Sequence, residues 1–112
     1  MKITKGDLCI ADLSPTVGSE QTGTRPVVVV SGNALNAGTN ICIVCILSSR
    51  IKEYPGSTTI TPNLENGLEE PSEVMSFQIR TIDQSRIHKQ VGKLSIEQIA
   101  EIERKVNEVF TF

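Results

Sequence analysis

PVVVVS, residues 26–31, is the stretch that decides the fold. Its four consecutive valines do not alternate with polar residues, so both faces of the segment have to be buried. Valine is branched at Cβ and favours extended backbone, which predicts a central strand. A second apolar run, ICIVCIL at residues 41–47, follows the loop at residues 32–40 and predicts another strand of the same kind.

Weaker strand patterns flank these two runs. GDLCIADL at residues 6–13 predicts a first strand, and STTIT at residues 57–61 predicts a shorter one. EVMSFQIRTI at residues 73–82 alternates, as expected of a strand with one buried face. Its two predicted faces are Val74, Ser76, Gln78 and Arg80 on the more polar side, and Met75, Phe77 and Ile79 on the apolar side.

The C-terminal segment changes to a helical period. Ser95 and Gln98 have the spacing of a capping box. Apolar residues then recur three or four positions apart, at Ile96, Ile99, Ile102, Val106, Val109 and Phe110. We expect one amphipathic helix that covers one end of the sheet. The chain is therefore predicted to be a single domain, residues 1–112, mainly β with a C-terminal helix and built as a small SH3-like β-barrel.

Composition and charge exclude several classes of protein. The 112 residues are 38% hydrophobic and 21% charged, with a net charge of -2. Because proteins that grip long duplex nucleic acid are usually basic, any contact with nucleic acid should be local. No apolar run has the length of a membrane span, and Asp7 and Asp12 interrupt the N-terminal segment. The sequence predicts a cytoplasmic protein without a membrane partner.

The three cysteines do not predict a metal centre or a disulfide framework. Cys42 and Cys45 would point to opposite faces of a strand. A four-ligand zinc site would need two more soft ligands, and only Cys9 and His88 remain. Small buried side chains are the better interpretation of all three cysteines. No glycine-rich loop opens a helix, so a phosphate or dinucleotide site is not expected, and without an HExxH or paired-histidine pattern we expect no metal and no cofactor.

The densest polar segment is GSEQTGTRP, residues 18–26. Pro26 biases Arg25 toward an extended conformation at the point where this loop meets the valine strand. An arginine placed there has a rigid base and an exposed head, which suits a group that must meet a phosphate in fixed geometry. On composition alone, a turn with a surface arginine remains the alternative.

Two motifs resemble the MazF/PemK family of toxins. GDLCIADLSPTVGSEQTGTRPVVVVS, residues 6–31, is similar to a family pattern in which DL-x-P-x-x-G-x-E-Q precedes T-R-P-V-V-V. QIRTID at residues 78–83 is similar to the family's Q-x-R-T-I-D. The motifs agree in order and spacing, the similarity extends from residue 6 to about residue 90, and the terminal helix fits as well. The resemblance implies a barrel of the CcdB/MazF/PemK type.

The resemblance also implies an activity. Family members are sequence-specific, metal-independent endoribonucleases in which the RNA 2′-hydroxyl attacks its own phosphate and leaves a 2′,3′-cyclic phosphate. It implies that Arg25 and Ser48 are the catalytic residues. The positions that would bind substrate are Ser19, Glu20, Gln78, Arg80 and Arg86.

The chain departs from the family pattern at three positions. Ser48 stands where many members have threonine; it keeps the hydroxyl, and its neighbour Ser49 is an alternative donor. Met75 and Phe77 stand where some members have an arginine and a carboxylate, so a mechanism that needs that pair is excluded. Because guanidinium is a poor base, the proton acceptor would be Glu20 or water. His88 is the one histidine of the chain, but it lies outside the matched motifs, and a structural or surface role is predicted for it.

The resemblance implies three partners: single-stranded RNA, a second copy in a homodimer, and a cognate antitoxin with an acidic segment that covers the RNA groove. Two other functions remain open from the sequence. CcdB-type toxins use the same barrel to bind DNA gyrase without cutting RNA, since a fold does not determine a function. An inactive relative or a plain binding module is the third possibility. The loops at residues 32–40, 49–56 and 62–72 are the least matched and are expected to set the recognition sequence.

Overall fold

A computed structural model describes residues 1–14, 18 and 23–111 of the chain. The strands in this part are β1 (Asp7–Asp12), β2 (Thr24–Val29), β3 (Ile41–Ser48), β4 (Thr58–Ile60), β5 (Ser72–Asp83) and β6 (Ile87–Lys93). The α-helices are α1 (Asn33–Gly38) and α2 (Ile96–Thr111). Neither helix is long and apolar enough to cross a membrane, as far as the described ranges extend.

The described strands form one sheet in the order β4-β5-β3-β2-β1-β6, with every neighbouring pair antiparallel. The sheet curves into a half-barrel, and the loop after β4 reaches its other edge. There, the Lys93 N–H donates to the Glu65 carbonyl at 2.9 Å. The predicted fold class, a small mainly β barrel with a C-terminal helix, is confirmed.

The valine strand is buried on both faces, as predicted. Val27 and Val29 pack in a core with Cys9, Cys42 and residues of β1 and β3, while Val28 packs in a second core with Cys45 and Ile102 of α2. The two thiols of β3 therefore lie on opposite faces. Burial raises the pKa of Cys45 to about 12 and that of Cys42 to about 11, so both stay protonated at neutral pH.

The alternation predicted for residues 73–82 is wrong because β5 contains a bulge. Cys45 pairs with Ile79, but the next residue, Ile46, pairs with Met75, so three extra residues bulge out of β5. Ile79 and Val74 consequently pack against the α2 side of the sheet, whereas Met75 belongs to the opposite core. A bulge changes which side chains share a face. The sequence of the strand contains no local pattern that predicts this bulge.

Two further elements differ from the sequence prediction. The loop predicted at residues 32–40 contains the short helix α1, in which the Asn36 side chain is buried and donates to the Ser31 carbonyl at 2.9 Å. The strand β6 was not predicted. Its sequence IHKQVGK is largely exposed and polar, and it is extended because its backbone pairs with β1.

Helix α2 begins with the predicted capping box. The Ser95 N–H donates to Gln98 Oε1 at 2.9 Å, and the Gln98 N–H donates to Ser95 Oγ at 3.1 Å. Its apolar stripe is shorter than predicted, because the helix packs on the sheet through its middle turns around Ile102. Ile96 and Phe110, near its two ends, are 82% and 78% exposed.

Gly92 lies where the loop after β4 crosses β6. A Cβ at this position would approach the Asn66 carbonyl oxygen to 2.2 Å and the Glu65 carbonyl oxygen to 2.6 Å. Because both are backbone atoms, they cannot rotate away, and overpacking of this kind costs about 1–3 kcal/mol or more. We expect Gly92→Ala to lower the free energy of unfolding, measured in urea, by about 3 kcal/mol.

Gly32→Ala is the matched control, since a Cβ there meets nothing within 4 Å. Equal stability of Gly92→Ala and the unaltered chain would contradict the close packing of this loop against β6.

Candidate active site

Arg25 and Ser48 line the same cavities at one end of the sheet. Arg25 is the second residue of β2 and Ser48 is the last residue of β3. The pairing of β2 with β3 runs from Val29 to Val27, which lies opposite Ile46, so Arg25 and Ser48 are each two residues beyond the last paired position. The valine run that buries β2 thus also fixes the backbone from which Arg25 projects.

Both side chains line two adjoining cavities, of about 410 Å³ and 310 Å³. Arg50 also lines both, and we call this pair of cavities the Arg25 cleft. The larger cavity includes Lys89 and two carboxylates of the loop after β4. The described residues that line the smaller one are Arg25, Ser48, Arg50, Lys52, Tyr54 and Met75.

The smaller cavity is therefore the more cationic part of the cleft. Its described lining has three cations and no carboxylate. A phosphate placed there would be attracted by all three positive charges.

The Ser48 hydroxyl is oriented by the chain that follows it. Its oxygen accepts the Arg50 N–H at 3.1 Å. A hydroxyl that accepts one hydrogen bond keeps its own proton for donation. Ser48 can therefore donate to an oxygen that develops negative charge beside Arg25. Ser49, the alternative donor, is exposed and lines only the larger cavity among the described lining residues.

The buried carboxylate of Glu73 shapes the loop that brings cations to the cleft. Its Oε1 accepts the Lys52 N–H at 2.8 Å, and its Oε2 accepts the Tyr54 N–H at 2.8 Å and the Ser57 hydroxyl. Burial by itself would raise the pKa of Glu73, but these hydrogen bonds to the charged form outweigh it and the pKa is lowered. Glu53, between the two donors, has a φ of 54°.

We expect Glu73→Gln to destabilise the protein by about 1–3 kcal/mol at pH 7, because an amide cannot accept all of these hydrogen bonds. A lowered folded-state pKa contributes stability above the unfolded-state pKa, and this contribution is lost as pH falls through the folded value. The difference between the two proteins in urea unfolding should therefore shrink in acid.

The exposed Glu65, changed to Gln, is the matched control for the loss of one charge. A difference in stability between Glu73→Gln and the unaltered chain that stayed constant from pH 7 into the acid range would argue against an ionised Glu73.

Three of the residues predicted to bind substrate, Gln78, Arg80 and Arg86, are not among the described residues that line the cleft. Arg80 donates to the Leu13 carbonyl at 3.4 Å, and Arg86 donates to the Asp12 carbonyl at 3.2 Å and to the Ser14 carbonyl. Both guanidinium groups thus hold the end of β1, next to the segment at residues 15–22. Gln78 is half-buried in the bulge of β5.

Not every predicted site residue can be placed against the cleft. Ser19 and Glu20 lie outside the described residues. His88 is exposed on β6 and is likewise not among the described lining residues. In the part of the chain that is described, no three histidine, cysteine or acidic side chains gather as a metal site would require.

The sequence prediction missed Arg50, Lys52, Tyr54 and Glu73. Three of them lie in a loop that was expected only to set recognition. The signal available was two cations within four residues of Ser48, in SSRIK. Glu73 had no such signal, because its role depends on a contact with residues about 20 positions away.

A curved antiparallel sheet with a C-terminal helix is the fold of the MazF toxins. The structure superimposes on MazF (Form-I) from Deinococcus radiodurans with a TM-score of 0.85 and 28% identity, covering 100% of this chain and 99% of the other. A chain of the MazE–MazF structure (Form-II) from the same organism superimposes with a TM-score of 0.77 and 27% identity, covering 100% of this chain and 98% of the other.

The sequence comparisons agree with the structural ones. Endoribonuclease EndoA of Bacillus subtilis (strain 168) is 34% identical over 104 residues, covering 92% of this chain and 90% of that protein. Residues 4–110 match the family model of the PemK-like, MazF-like toxin of type II toxin–antitoxin systems. The chain belongs to this family.

Proposed function

We propose that this toxin is a sequence-specific endoribonuclease that cleaves single-stranded RNA without a metal ion. The observation that carries the proposal is that Arg25 and Ser48 line one cavity together with Arg50 and Lys52. The similarity to an endoribonuclease over 92% of the chain supports the same conclusion.

The proposed reaction is an intramolecular phosphoryl transfer. The RNA 2′-oxygen attacks phosphorus, the P–O5′ bond breaks, and a 2′,3′-cyclic phosphate and a 5′-hydroxyl remain. Negative charge increases on the non-bridging oxygens in the transition state, where preorganised donors are most effective. Arg25 supplies positive charge at these oxygens and Ser48 supplies a neutral hydrogen bond.

Two proton transfers complete the proposed reaction. The 2′-hydroxyl loses a proton, and the leaving 5′-oxygen gains one. We propose that Arg25 protonates the leaving oxygen. We propose Glu20 as the acceptor of the 2′ proton, because guanidinium is a poor base. Undiminished cleavage by Glu20→Gln would contradict this role and leave water as the acceptor.

Substrate contacts beyond the reacting phosphate are proposed for Ser19, Glu20 and Gln78. Arg80 and Arg86 would act from the base of the 15–22 segment, because their guanidinium groups hold the carbonyls at its start. In this proposal they position the segment that carries Ser19 and Glu20.

We further propose that the toxin, a single domain of residues 1–112, acts in the cytoplasm as a homodimer with RNA bound along its interface. A cognate antitoxin would neutralise it by covering the cleft with an acidic segment, for which the cations of the cleft are suitable partners. The MazE–MazF complex of a 27% identical relative supports such an assembly.

The test is to incubate the purified protein with a long, unstructured RNA in the presence of EDTA and to map the ends. We expect cuts at a recurring short sequence, with cyclic-phosphate and 5′-hydroxyl ends. A well-folded protein that leaves this RNA intact would overturn the proposal and favour a toxin that binds a protein target such as DNA gyrase.

A further inference from the structure

Tyr54 and Phe77 form an aromatic pair on the surface. Their ring centroids are 5.0 Å apart and the ring planes meet at 75°, an edge-to-face arrangement. The two residues remain 38% and 39% exposed. An edge-to-face pair leaves ring faces uncovered, and these faces are available to a third flat group.

Tyr54 joins this pair to the Arg25 cleft. It lines the smaller cavity of the cleft with Arg25 and Ser48, and it also lines a separate cavity of about 640 Å³ with Phe77. We call this second space the Tyr54 cavity; its volume is in the range of small-ligand sites, roughly 300–1,000 Å³. If one phosphate of an RNA strand lies in the Arg25 cleft, the Tyr54 cavity is therefore next to that phosphate.

The two spaces differ in charge. The described lining of the smaller cleft cavity has three cations and no carboxylate. The Tyr54 cavity contains Lys105 and Glu108, whose charges offset each other across 3.5 Å. A phosphate therefore favours the cleft, whereas an uncharged aromatic group favours the Tyr54 cavity.

The backbone of Tyr54 and of Phe77 is held in place by neighbouring groups. The Tyr54 N–H is held by the buried carboxylate of Glu73. Phe77 lies in the bulge of β5, between Met75 and Ile79, which pair with consecutive residues of β3. A stacking surface fixed in this way loses little conformational freedom when a base binds.

We propose that Tyr54 and Phe77 form a stacking site for one unpaired nucleobase of an RNA whose neighbouring phosphate lies beside Arg25. The inference rests on the proposed function and names a subsite of the same cleft. Sequence-specific recognition of single-stranded RNA commonly uses bases splayed out onto aromatic side chains.

The first measurement uses tyrosine fluorescence. The chain has one tyrosine and no tryptophan, so this signal reports Tyr54 alone. The probe is a random-sequence single-stranded RNA with 2′-O-methyl riboses, which binds but has no 2′-hydroxyl to react. We expect it to quench the fluorescence, and an abasic strand of equal length to quench it far less. Free tyrosine amide corrects for light absorbed by the RNA.

The second measurement compares cleavage kinetics of three variants. Loss of base–aromatic stacking should raise KM of Phe77→Leu about 5- to 150-fold with little change in kcat. Phe77→Tyr, which keeps an aromatic ring, should stay close to the unaltered protein. Phe110→Leu is the control, because Phe110 is an exposed phenylalanine outside the described linings of both spaces.

The outcomes separate this inference from the proposed function. Cleavage with an unchanged KM in Phe77→Leu, together with equal quenching by the two strands, would overturn the stacking site and leave the nuclease. An unchanged KM in Phe77→Leu together with weaker binding of the antitoxin would mean that Tyr54 and Phe77 bind the protein partner, and this would also overturn the stacking site. Base-dependent quenching without cleavage would support the stacking site and overturn the nuclease.

Discussion

Arg25→Ala should lower kcat/KM for RNA cleavage by at least about 10³-fold. An arginine that stabilises transition-state charge in phosphoryl transfer contributes about 10³–10⁵ in rate. Arg25 lines both cavities of the cleft, beside the hydroxyl of Ser48. In the mutant, Arg50 and Lys52 would still attract the RNA. We therefore expect most of the loss in kcat/KM to come from a lower kcat.

Two further variants separate geometry from charge. Arg25→Lys keeps a positive charge but lacks the planar pair of donors that matches two phosphate oxygens, so we expect only partial activity. Arg104→Ala removes one positive charge from an exposed helix position, where the guanidinium is paired with Glu101 and Glu108, and should cleave normally.

The measurement is single-turnover cleavage of the mapped RNA in EDTA, with thermal unfolding as the check on folding. A folded Arg25→Ala protein that produced cyclic-phosphate ends at the unaltered rate would contradict the assignment. The charge at phosphorus would then have to come from Arg50 or Lys52.

The fold was predictable where a continuous run of apolar residues shows that both faces of a segment are buried. Four valines in a row and the run ICIVCIL require strands with two covered faces, and both strands are present, although the first spans Thr24–Val29 and ends before the fourth valine. The bulge in β5 was not predictable, because it depends on how residues 75–79 meet Cys45 and Ile46. Strand β6 was missed because backbone pairing with β1, and not side-chain burial, makes it extended.

The same distinction applies to the candidate site. Arg25 and Ser48 were predicted from motifs, and both line the cleft because they lie near the ends of two predicted strands. The loop after β3 has no periodic pattern, so its approach to Arg25 could not be derived from its own residues. Its path depends on Glu73, a carboxylate buried between strands that accepts the N–H groups of Lys52 and Tyr54.

The bulge also gives the departure at Phe77 a physical consequence. In a regular strand Phe77 would share the face of Met75, which is buried in the core. The bulge instead leaves Phe77 39% exposed and in contact with Tyr54. A residue that looked like the loss of a catalytic carboxylate therefore becomes part of the surface next to the cleft.

Ser48→Ala should lower kcat by about 10²–10³-fold, the usual effect of removing one preorganised donor to a developing oxyanion. Substrate affinity should change little, because the cations of the cleft remain. Ser48→Thr should retain activity, since it keeps the hydroxyl and restricts its rotamer. Both variants are compared with the unaltered protein by single-turnover cleavage in EDTA.

Ser49→Ala decides between the two neighbouring hydroxyls. Ser48 is half-buried and its oxygen is oriented by the Arg50 N–H, whereas Ser49 is exposed and lies on the larger cavity alone among the described linings. A donor gains most in the transition state when it is fixed beforehand, which favours Ser48. Full activity in Ser48→Ala with a large loss in Ser49→Ala would reverse the assignment. Equal, moderate losses in both would mean that the phosphate lies between the two hydroxyls and that neither is the principal donor.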